Sequence, residues 1–183
     1  MMHGMLEFLL SDNPEALVLR DFFEFRIIPM MNVDGVISGN WRTGLAGDDL
    51  NRCFHNPSLG LHPSVLNLLN QVKKWQVNRK VAYFFDLHGH STKPNVFTYG
   101  PELSNFDPLN DHTKVFPKLI SNASEMFAFK SCSFVIKKFK KTTARAIFLE
   151  KLGVKFSYTV EASTSCWKDS KQKTRYFTFG DYK

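Results

Sequence analysis

The chain is poor in cysteine and has no long apolar run. Its 183 residues include three widely spaced cysteines, so neither a disulfide framework nor a paired-cysteine metal site is expected. Reduced thiols of this kind are typical of the cytoplasm, which is the location that we predict. No apolar stretch approaches the roughly 20 residues of a membrane-spanning helix, and residues 1–10 lack the basic start of a signal peptide. No membrane partner is expected.

Positive charge exceeds negative charge, with 24 Lys and Arg against 17 Asp and Glu and a net charge of +7. This excess favours acidic partners. No zinc-finger spacing, RNA-reading aromatic motif or helix-turn-helix pattern accompanies it, so nucleic acid is not expected as a partner. Two interpretations stay open: a solvated basic face, or a surface that receives an acidic polypeptide. The basic residues concentrated in the second half are Lys137, Lys138, Lys140, Lys141, Arg145, Lys151 and Lys155.

Apolar periodicity alternates between the helical and the extended pattern along the chain. The predicted helices cover residues 2–10, 14–22, 63–80, 112–129 and 143–152. The predicted strands cover residues 23–29, 81–87, 95–99, 134–139 and 156–160. This alternation predicts an α/β fold whose mixed, largely parallel sheet has helices on both faces. The length, without repeats or linkers, predicts one domain over residues 1–183.

A polar run, DLHGHS at residues 86–91, ends the strand predicted over residues 81–87. Sites in open α/β sheets form beyond the carboxyl ends of strands. A neutral imidazole such as that of His88 is a common zinc ligand, and a nearby carboxylate such as Asp86 can fix its tautomer. Taken alone, the run is compatible with zinc binding or with a hydrogen-bonded polar cluster.

The segment from residue 32 to residue 54 is rich in Gly, Asn and Asp and has no periodicity. Irregular segments of this length in compact domains are often functional. Arg42, Asn51 and Arg52 of this segment could bind a carboxylate, or hold the oxyanion that develops on a carbonyl. The alternative is a pair of loop arginines that bridge surface carboxylates.

Glu161 ends the strand predicted over residues 156–160 and is followed by small residues. A carboxylate in such a position could face a cleft and act as a general base, as zinc peptidases require. The alternative is a glutamate that is merely exposed to solvent.

In their order along the chain, these motifs resemble the carboxypeptidase A-like zinc metallocarboxypeptidases. The residues within and around these motifs are most similar to those of the cytosolic carboxypeptidases that remove glutamate from tubulin. The segments that carry this resemblance are AGDDLNR, FFDLHGHSTKPNVFTYG, TTAR and GVKFSYTVEAS. The resemblance covers almost the whole chain and implies an enzyme of the metallocarboxypeptidase class.

The resemblance implies roles for the residues that carry out the reaction. His88 matches the third zinc ligand of the family, and Glu161 matches the general base. Arg42 matches the arginine that polarises the scissile carbonyl and stabilises the oxyanion. His90 matches no ligand position and is interpreted as a structural residue or one that lines the cleft.

The same resemblance implies how a substrate is held. Asn51 and Arg52 match the pair that binds the terminal carboxylate, and Arg145 in TTAR matches a residue that lines a pocket for an acidic side chain. The implied reaction removes C-terminal glutamate from acidic polypeptide tails such as polyglutamylated tubulin.

Two features depart from the family pattern. Asn-Val-Asp at residues 32–34 replaces Asn-Pro-Asp, and no HxxE motif occurs in residues 1–183. The resemblance places that motif, with two of the three ligands for one Zn²⁺ per complete domain, upstream of the chain. It thereby implies a chain truncated at the N-terminus, with an incomplete sheet there. The last residues, FTFGDYK, resemble a segment that the family follows with more chain, which implies truncation at the C-terminus as well. With His88 alone, we expect weak or absent zinc binding and no turnover. An inactive fragment or pseudoenzyme that binds acidic C-terminal tails is the alternative.

Overall fold

A three-stranded sheet lies at the centre of the protein, shown here as a computed structural model that describes residues 1–182. Its strands are β1 (Tyr83–His90), β2 (Val96–Tyr99) and β3 (Phe156–Ser163). Strand β3 lies in the middle, parallel to β1 and antiparallel to β2. The parallel pairing runs the whole length of β1 and β3, while the antiparallel pairing is limited to the shorter β2. The mixed sheet predicted from the sequence is confirmed.

One face of the sheet packs against two helices, α4 (Pro63–Asn78) and α6 (Ala144–Glu150). The ring of Phe84 on β1 stacks on Phe148 of α6, with the ring centroids 3.6 Å apart. Phe148 also belongs to a buried cluster that includes the apolar side of α4. This apolar layer covers the amino-terminal part of β1 and leaves the carboxyl ends of β1 and β3 to polar side chains.

The opposite face is covered by α5 (Val115–Ala123). Phe116 of this helix lies 5.0 Å from Phe85 and 5.4 Å from Tyr158, measured between ring centroids. The Tyr158 hydroxyl, buried in this layer, donates to the Thr113 carbonyl oxygen at 2.8 Å. Helices therefore lie on both faces of the sheet, as predicted.

Two helices precede this layer, α1 (Met2–Leu9) and α2 (Pro14–Phe22). The Asn13 side chain accepts a hydrogen bond from the Glu15 amide at 2.9 Å and caps α2, which begins with proline as its missing amide allows. The remaining elements are α3 (Val33–Ser38), β4 (Cys166–Lys168), β5 (Thr174–Tyr176) and 3-10 helices at Leu50–Arg52, Asp111–Lys114, Phe129–Ser131, Lys138–Lys140 and Phe179–Tyr182.

Two predicted strands are wrong. Residues 23–29 and 134–137 have no regular structure, and residues 138–140 form a 3-10 helix. A strand requires a partner along its edge, and the ladders of the described sheet join β1, β3 and β2 only. The amide of Ile136 instead donates to the Glu102 carboxylate at 2.6 Å. Apolar content alone could not reveal that these segments lack a pairing partner.

The helix predicted over residues 112–129 is shorter than expected. It begins as the 3-10 helix Asp111–Lys114, continues as α5, and ends where Ser124 adopts an extended backbone. Across residues 1–182, none of the helices is both long and apolar enough to cross a membrane.

Candidate active site

His88 and Glu161 are register partners on the adjacent parallel strands β1 and β3. Because paired residues of neighbouring strands point to the same face, both side chains emerge at the carboxyl end of the sheet on one side. Glu161 is only 9% exposed. Burial raises the pKa of its carboxyl above the ordinary value, against the opposing charges of His88 and His90. The sequence-predicted ligand and base are thus brought together.

Asp86 orients the ring of His88. The two residues are separated by one position on β1, and Asp86 Oδ2 lies 2.9 Å from His88 Nε2. This contact assigns the proton to Nε2 and leaves a lone pair on Nδ1, which makes no hydrogen bond within residues 1–182. Burial lowers the pKa of His88, but the Asp86 hydrogen bond and charge outweigh it, so the pKa lies above the ordinary value. A carboxylate–histidine pair of this kind is typical of a metal ligand.

The residues around His88 fit one zinc ligand with its orienting carboxylate. A catalytic zinc normally takes three protein ligands. Between residues 1 and 182, one group of three ligand-type side chains has its donor atoms within 4.8 Å of one another, and it is Asp48, Cys53 and His62. This group does not include His88, so the described part of the chain does not assemble a full ligand set around it.

The group of Asp48, Cys53 and His62 has a structural role, because hydrogen bonds of His62 join two loops. The Ser58 amide donates to His62 Nδ1 at 3.4 Å, which leaves the proton on Nε2, 3.1 Å from Asp48 Oδ2. A metal ion at Nε2 would have to displace that proton and the contact with Asp48. His62 is buried and precedes α4, so the pair fixes the start of that helix against the Asp48 loop.

Arg42 and Arg52 both lie close to Asp49. Arg42 Nε donates to Asp49 Oδ2 at 2.6 Å, and Arg52 Nη1 lies 3.9 Å from the same oxygen. The other oxygen, Oδ1, accepts the Asn51 amide at 2.9 Å and caps the 3-10 helix Leu50–Arg52. The Arg42 side chain remains half-exposed. Asp49 therefore gathers both predicted arginines on the side of the site that faces solvent.

Asn51 ties this loop to the sheet and to α6. Its Oδ1 accepts the Ala144 amide at 2.8 Å, and its Nδ2 lies 3.4 Å from both Asp86 Oδ2 and His88 Nε2. The predicted role of Asn51 in holding a terminal carboxylate stays a prediction. What the structure adds is a positioning role, because the same side chain connects three elements of the site.

Arg145 is a buried cation on the first turn of α6. It is 5% exposed and donates to the Gly100 carbonyl oxygen, while its Nε has no hydrogen-bond partner in the described part of the chain. The guanidinium lies 5.6 Å from the centre of the Tyr99 ring. Burial lowers its pKa to about 10, against the favourable charges of Tyr99, Glu102 and Glu161. Within residues 1–182 no carboxylate forms an ion pair with it.

His90 lines the same face of the sheet beside Phe97. Its Nδ1 accepts the amides of Thr92 and Lys93 at 3.2 and 3.1 Å, and its ring meets the edge of Phe97 with 5.1 Å between centroids. This position agrees with the interpretation of His90 as a structural residue that lines the cleft.

The sequence interpretation missed Tyr99 and gave Lys140 no role beyond membership of the basic face. Tyr99 pairs with Thr159 across β2 and β3, so strand alternation from Phe97 could have placed it on the site face. Lys140 lies three residues before the cap of α6 at Thr143, and no pattern distinguished it from neighbouring lysines.

Curated relatives match nearly all of the chain, although no protein-family model matches it. It is 41% identical to cytosolic carboxypeptidase 2 of Xenopus tropicalis over 184 residues, which is all of this chain and 19% of that protein. It is 40% identical to human cytosolic carboxypeptidase 1 over 181 residues, or 92% of this chain and 15% of that protein. The chain therefore spans less than a quarter of the length of these relatives.

Solved structures show the same fold. A metallo-carboxypeptidase from Burkholderia cenocepacia superposes with a TM-score of 0.72 at 30% identity, over 84% of this chain and 39% of that one. A metallo-carboxypeptidase from Pseudomonas aeruginosa superposes with a TM-score of 0.75 over 95% of this chain and 45% of that one, and at 24% identity it supports the fold alone.

The fold, together with His88 and Glu161 on paired strands, defines a segment of a metallocarboxypeptidase. Within that class the chain belongs to the cytosolic carboxypeptidases, by about 40% identity along its length. The resemblance inferred from the sequence motifs is thereby confirmed.

Proposed function

We propose that residues 1–183 belong to a single catalytic domain of a zinc-dependent carboxypeptidase of the cytoplasm. Its reaction would remove C-terminal glutamate from acidic protein tails such as polyglutamylated tubulin. The observation that carries this proposal is Arg145, a buried cation near Glu161 that has no carboxylate partner among residues 1–182. Burying an unpaired charge is costly, and an anionic substrate group would supply the missing partner. The names of the cytosolic carboxypeptidases support a carboxypeptidase reaction and a cytosolic location.

Different cations of the site would bind the two carboxylates of the substrate. Arg52, helped by Asn51, would bind the terminal α-carboxylate, and Arg145 would bind the carboxylate of the glutamate side chain. Guanidinium groups suit both tasks because they donate two parallel hydrogen bonds to a carboxylate.

Arg42 would stabilise the negative charge that develops on the scissile carbonyl oxygen. In the structure its partner is Asp49, at 2.6 Å. An exposed ion pair of this kind contributes about 0–1 kcal/mol, so the developing oxyanion can compete for the guanidinium. The Asp49 pairing would hold Arg42 at the edge of the site until substrate arrives.

Glu161 would take a proton from the attacking water and deliver it to the leaving amine. Its raised pKa brings the carboxyl nearer to neutral pH, where a group can both accept and donate a proton. Zinc, with His88 among its ligands, would supply Lewis acidity to the water and the carbonyl. Asp86 would keep the His88 ring in the tautomer that presents Nδ1.

A second candidate function is binding of acidic C-terminal tails without turnover. It is favoured by the single zinc ligand that the described residues assemble. One genomic observation would distinguish the two functions. An in-frame HxxE upstream of the Met1 codon supports the enzyme, whereas a stop codon there supports the binding module.

The biochemical test uses the chain extended by that upstream sequence and loaded with zinc. Release of free glutamate from a peptide with a polyglutamate end is measured for the wild type and for Glu161→Gln. The variant should lose about 100- to 10,000-fold in kcat, the range attributed to a general base, while it still binds the peptide. Glu150→Gln, at the exposed end of α6, is the matched control. Equal release by wild type and Glu161→Gln would refute the role of Glu161.

A further inference from the structure

Lys140 differs from the lysines beside it. Lys137, Lys138 and Lys141 are exposed, whereas Lys140 is partly buried. Its ammonium forms no ion pair or hydrogen bond in the described part of the chain and lies 5.4 Å from the centre of the Phe139 ring. An ammonium withdrawn from water without an anion beside it is unfavourable unless a ligand provides one.

Hydrogen bonds fix the main chain of Lys140 to the loop that carries Arg52. The Lys140 carbonyl oxygen accepts the Thr143 amide at 3.1 Å and the Thr143 hydroxyl at 2.7 Å. The next amide, of Ala144, donates to Asn51 Oδ1 at 2.8 Å. Lys140 thus lies four residues before Ala144, whose amide is bonded to Asn51, the residue next to Arg52.

The charges that act on the Lys140 ammonium belong to residues of the site. Burial, followed by the positive charges of Arg52 and Arg42, lowers the pKa of Lys140, and the charges of Asp49 and Glu161 oppose this. Three cations therefore adjoin one region beside the general base. Asp49 supplies one negative charge to two arginines, so this region keeps a positive excess, and among residues 1–182 the Lys140 ammonium has no ion-pair partner.

We propose that Lys140 is a substrate-binding residue that, together with Arg52, binds the C-terminal α-carboxylate of an acidic peptide. The proposal rests on the carboxylate recognition described under Proposed function. Arg52 is the strongest charged neighbour of Lys140, so the two cations can share one carboxylate. Arg145 lies elsewhere in the site, buried on α6 beside Tyr99. It would bind the carboxylate of the glutamate side chain instead.

The test measures binding, so it does not depend on zinc or turnover. Residues 1–183 are titrated against a fluorescently labelled peptide ending in three glutamates, with either a free or an amidated C-terminus, and anisotropy gives each Kd. The wild type should prefer the free carboxylate. Lys140→Gln should reduce this preference about tenfold, the usual order for loss of one hydrogen bond between charged groups. Lys140→Arg should retain most of it.

Lys138→Gln is the matched control, because Lys138 lies in the same 3-10 helix but is exposed. It should weaken both peptides equally, as a general positive field does. Lys140→Met serves as a second variant, and urea unfolding of each variant confirms that it is folded.

The outcomes separate this proposal from the proposed function. A wild type that binds both peptides equally would overturn carboxylate recognition, and this proposal with it. A wild-type preference that persists in folded Lys140→Gln and Lys140→Met would overturn the role of Lys140 alone. A loss in those variants that is equal for the two peptides would also overturn it, since it would show a general charge effect.

Discussion

The site has a strand half and a cationic half, and the two are built differently. The strand half is Asp86, His88 and Glu161, whose positions follow from the main-chain ladder between β1 and β3. The cationic half is Arg42, Arg52, Lys140 and Arg145, which lie on a loop, on two 3-10 helices and on the first turn of α6. The main-chain hydrogen bonds of a parallel ladder hold paired residues opposite each other, whereas the cations depend on individual side-chain contacts.

This difference matches what each half would do. A ligand and a base must keep a fixed separation through a reaction, and neighbouring strands provide one. A cation that binds a substrate benefits from a resting partner that the substrate can replace. Asp49 is such a partner for Arg42. Arg145 differs from Arg42, because it is buried and its Nε has no hydrogen-bond partner within residues 1–182.

The sharpest way to break the cationic half is Arg145→Met. Without the guanidinium, the pocket no longer offers a partner for an acidic side chain, so the preference for peptides ending in glutamate over glutamine should fall about 100-fold. Fluorescence anisotropy with the two peptides, both with a free C-terminus, measures the preference. Stability should change little or rise, because an unpaired buried cation is removed.

The control for this change is Arg79→Met, which removes an exposed arginine paired with Glu24. It should leave the preference for glutamate unchanged. An Arg145→Met protein that is folded and still prefers glutamate as strongly as the wild type would show that Arg145 does not read the substrate side chain.

Asn51 connects the two halves, so Asn51→Ala tests how firmly they are joined. The Ala144 amide would lose its acceptor, and since Ala144 is 1% exposed, water could not replace it. An unsatisfied buried donor costs about 1–3 kcal/mol in the free energy of unfolding. Urea unfolding at unchanged m-value measures the loss.

Asn56→Ala provides the comparison, because Asn56 is an exposed residue of the loop that follows. Its effect should stay within about 0.5 kcal/mol, as for surface substitutions in general. If both alanine variants destabilised the protein equally, the bond between Asn51 and Ala144 would not be what holds the loop in place.

The strand half could be predicted from the sequence, and the cationic half only in part. Asp86 and His88 follow an apolar run and Glu161 follows another, which placed all three at strand ends. The pairing of Arg42 with Asp49 could not be foreseen, because it joins two positions of an aperiodic loop. The burial of Lys140 was equally hidden, since the lysines around it have the same local pattern.

The same limit explains the incorrect strands. Residues 23–29 and 134–139 are rich in apolar side chains, as residues 81–87 are, yet only the last segment has a neighbouring strand in the described sheet. Pairing is a long-range property, and composition records only local preference. The roles of the site residues likewise come from the family resemblance, because spacing alone left each motif with an ordinary structural alternative.

The smallest expected effect concerns the burial of the strand half and is tested by Glu161→Gln as a function of pH. Burial raises the pKa of Glu161 in the folded protein above the unfolded value of about 4.3. The folded state therefore holds the proton more tightly, so this group's contribution to wild-type stability is greatest below pH 4.3. It is lost as the pH rises through the folded pKa. Glutamine does not titrate.

The free energy of unfolding of Glu161→Gln, minus that of the wild type, should consequently increase between pH 4 and pH 7. Urea unfolding at each pH measures it, and titration of Asp86 and His88 largely cancels because both proteins contain the pair. Glu150→Gln gives the baseline for removing a carboxylate from the surface. A difference that decreases as the pH rises would mean that His88, His90 and Lys140 stabilise the charged carboxylate more than burial penalises it. Charge would then stabilise the strand half, as Asp49 stabilises the positions of Arg42 and Arg52.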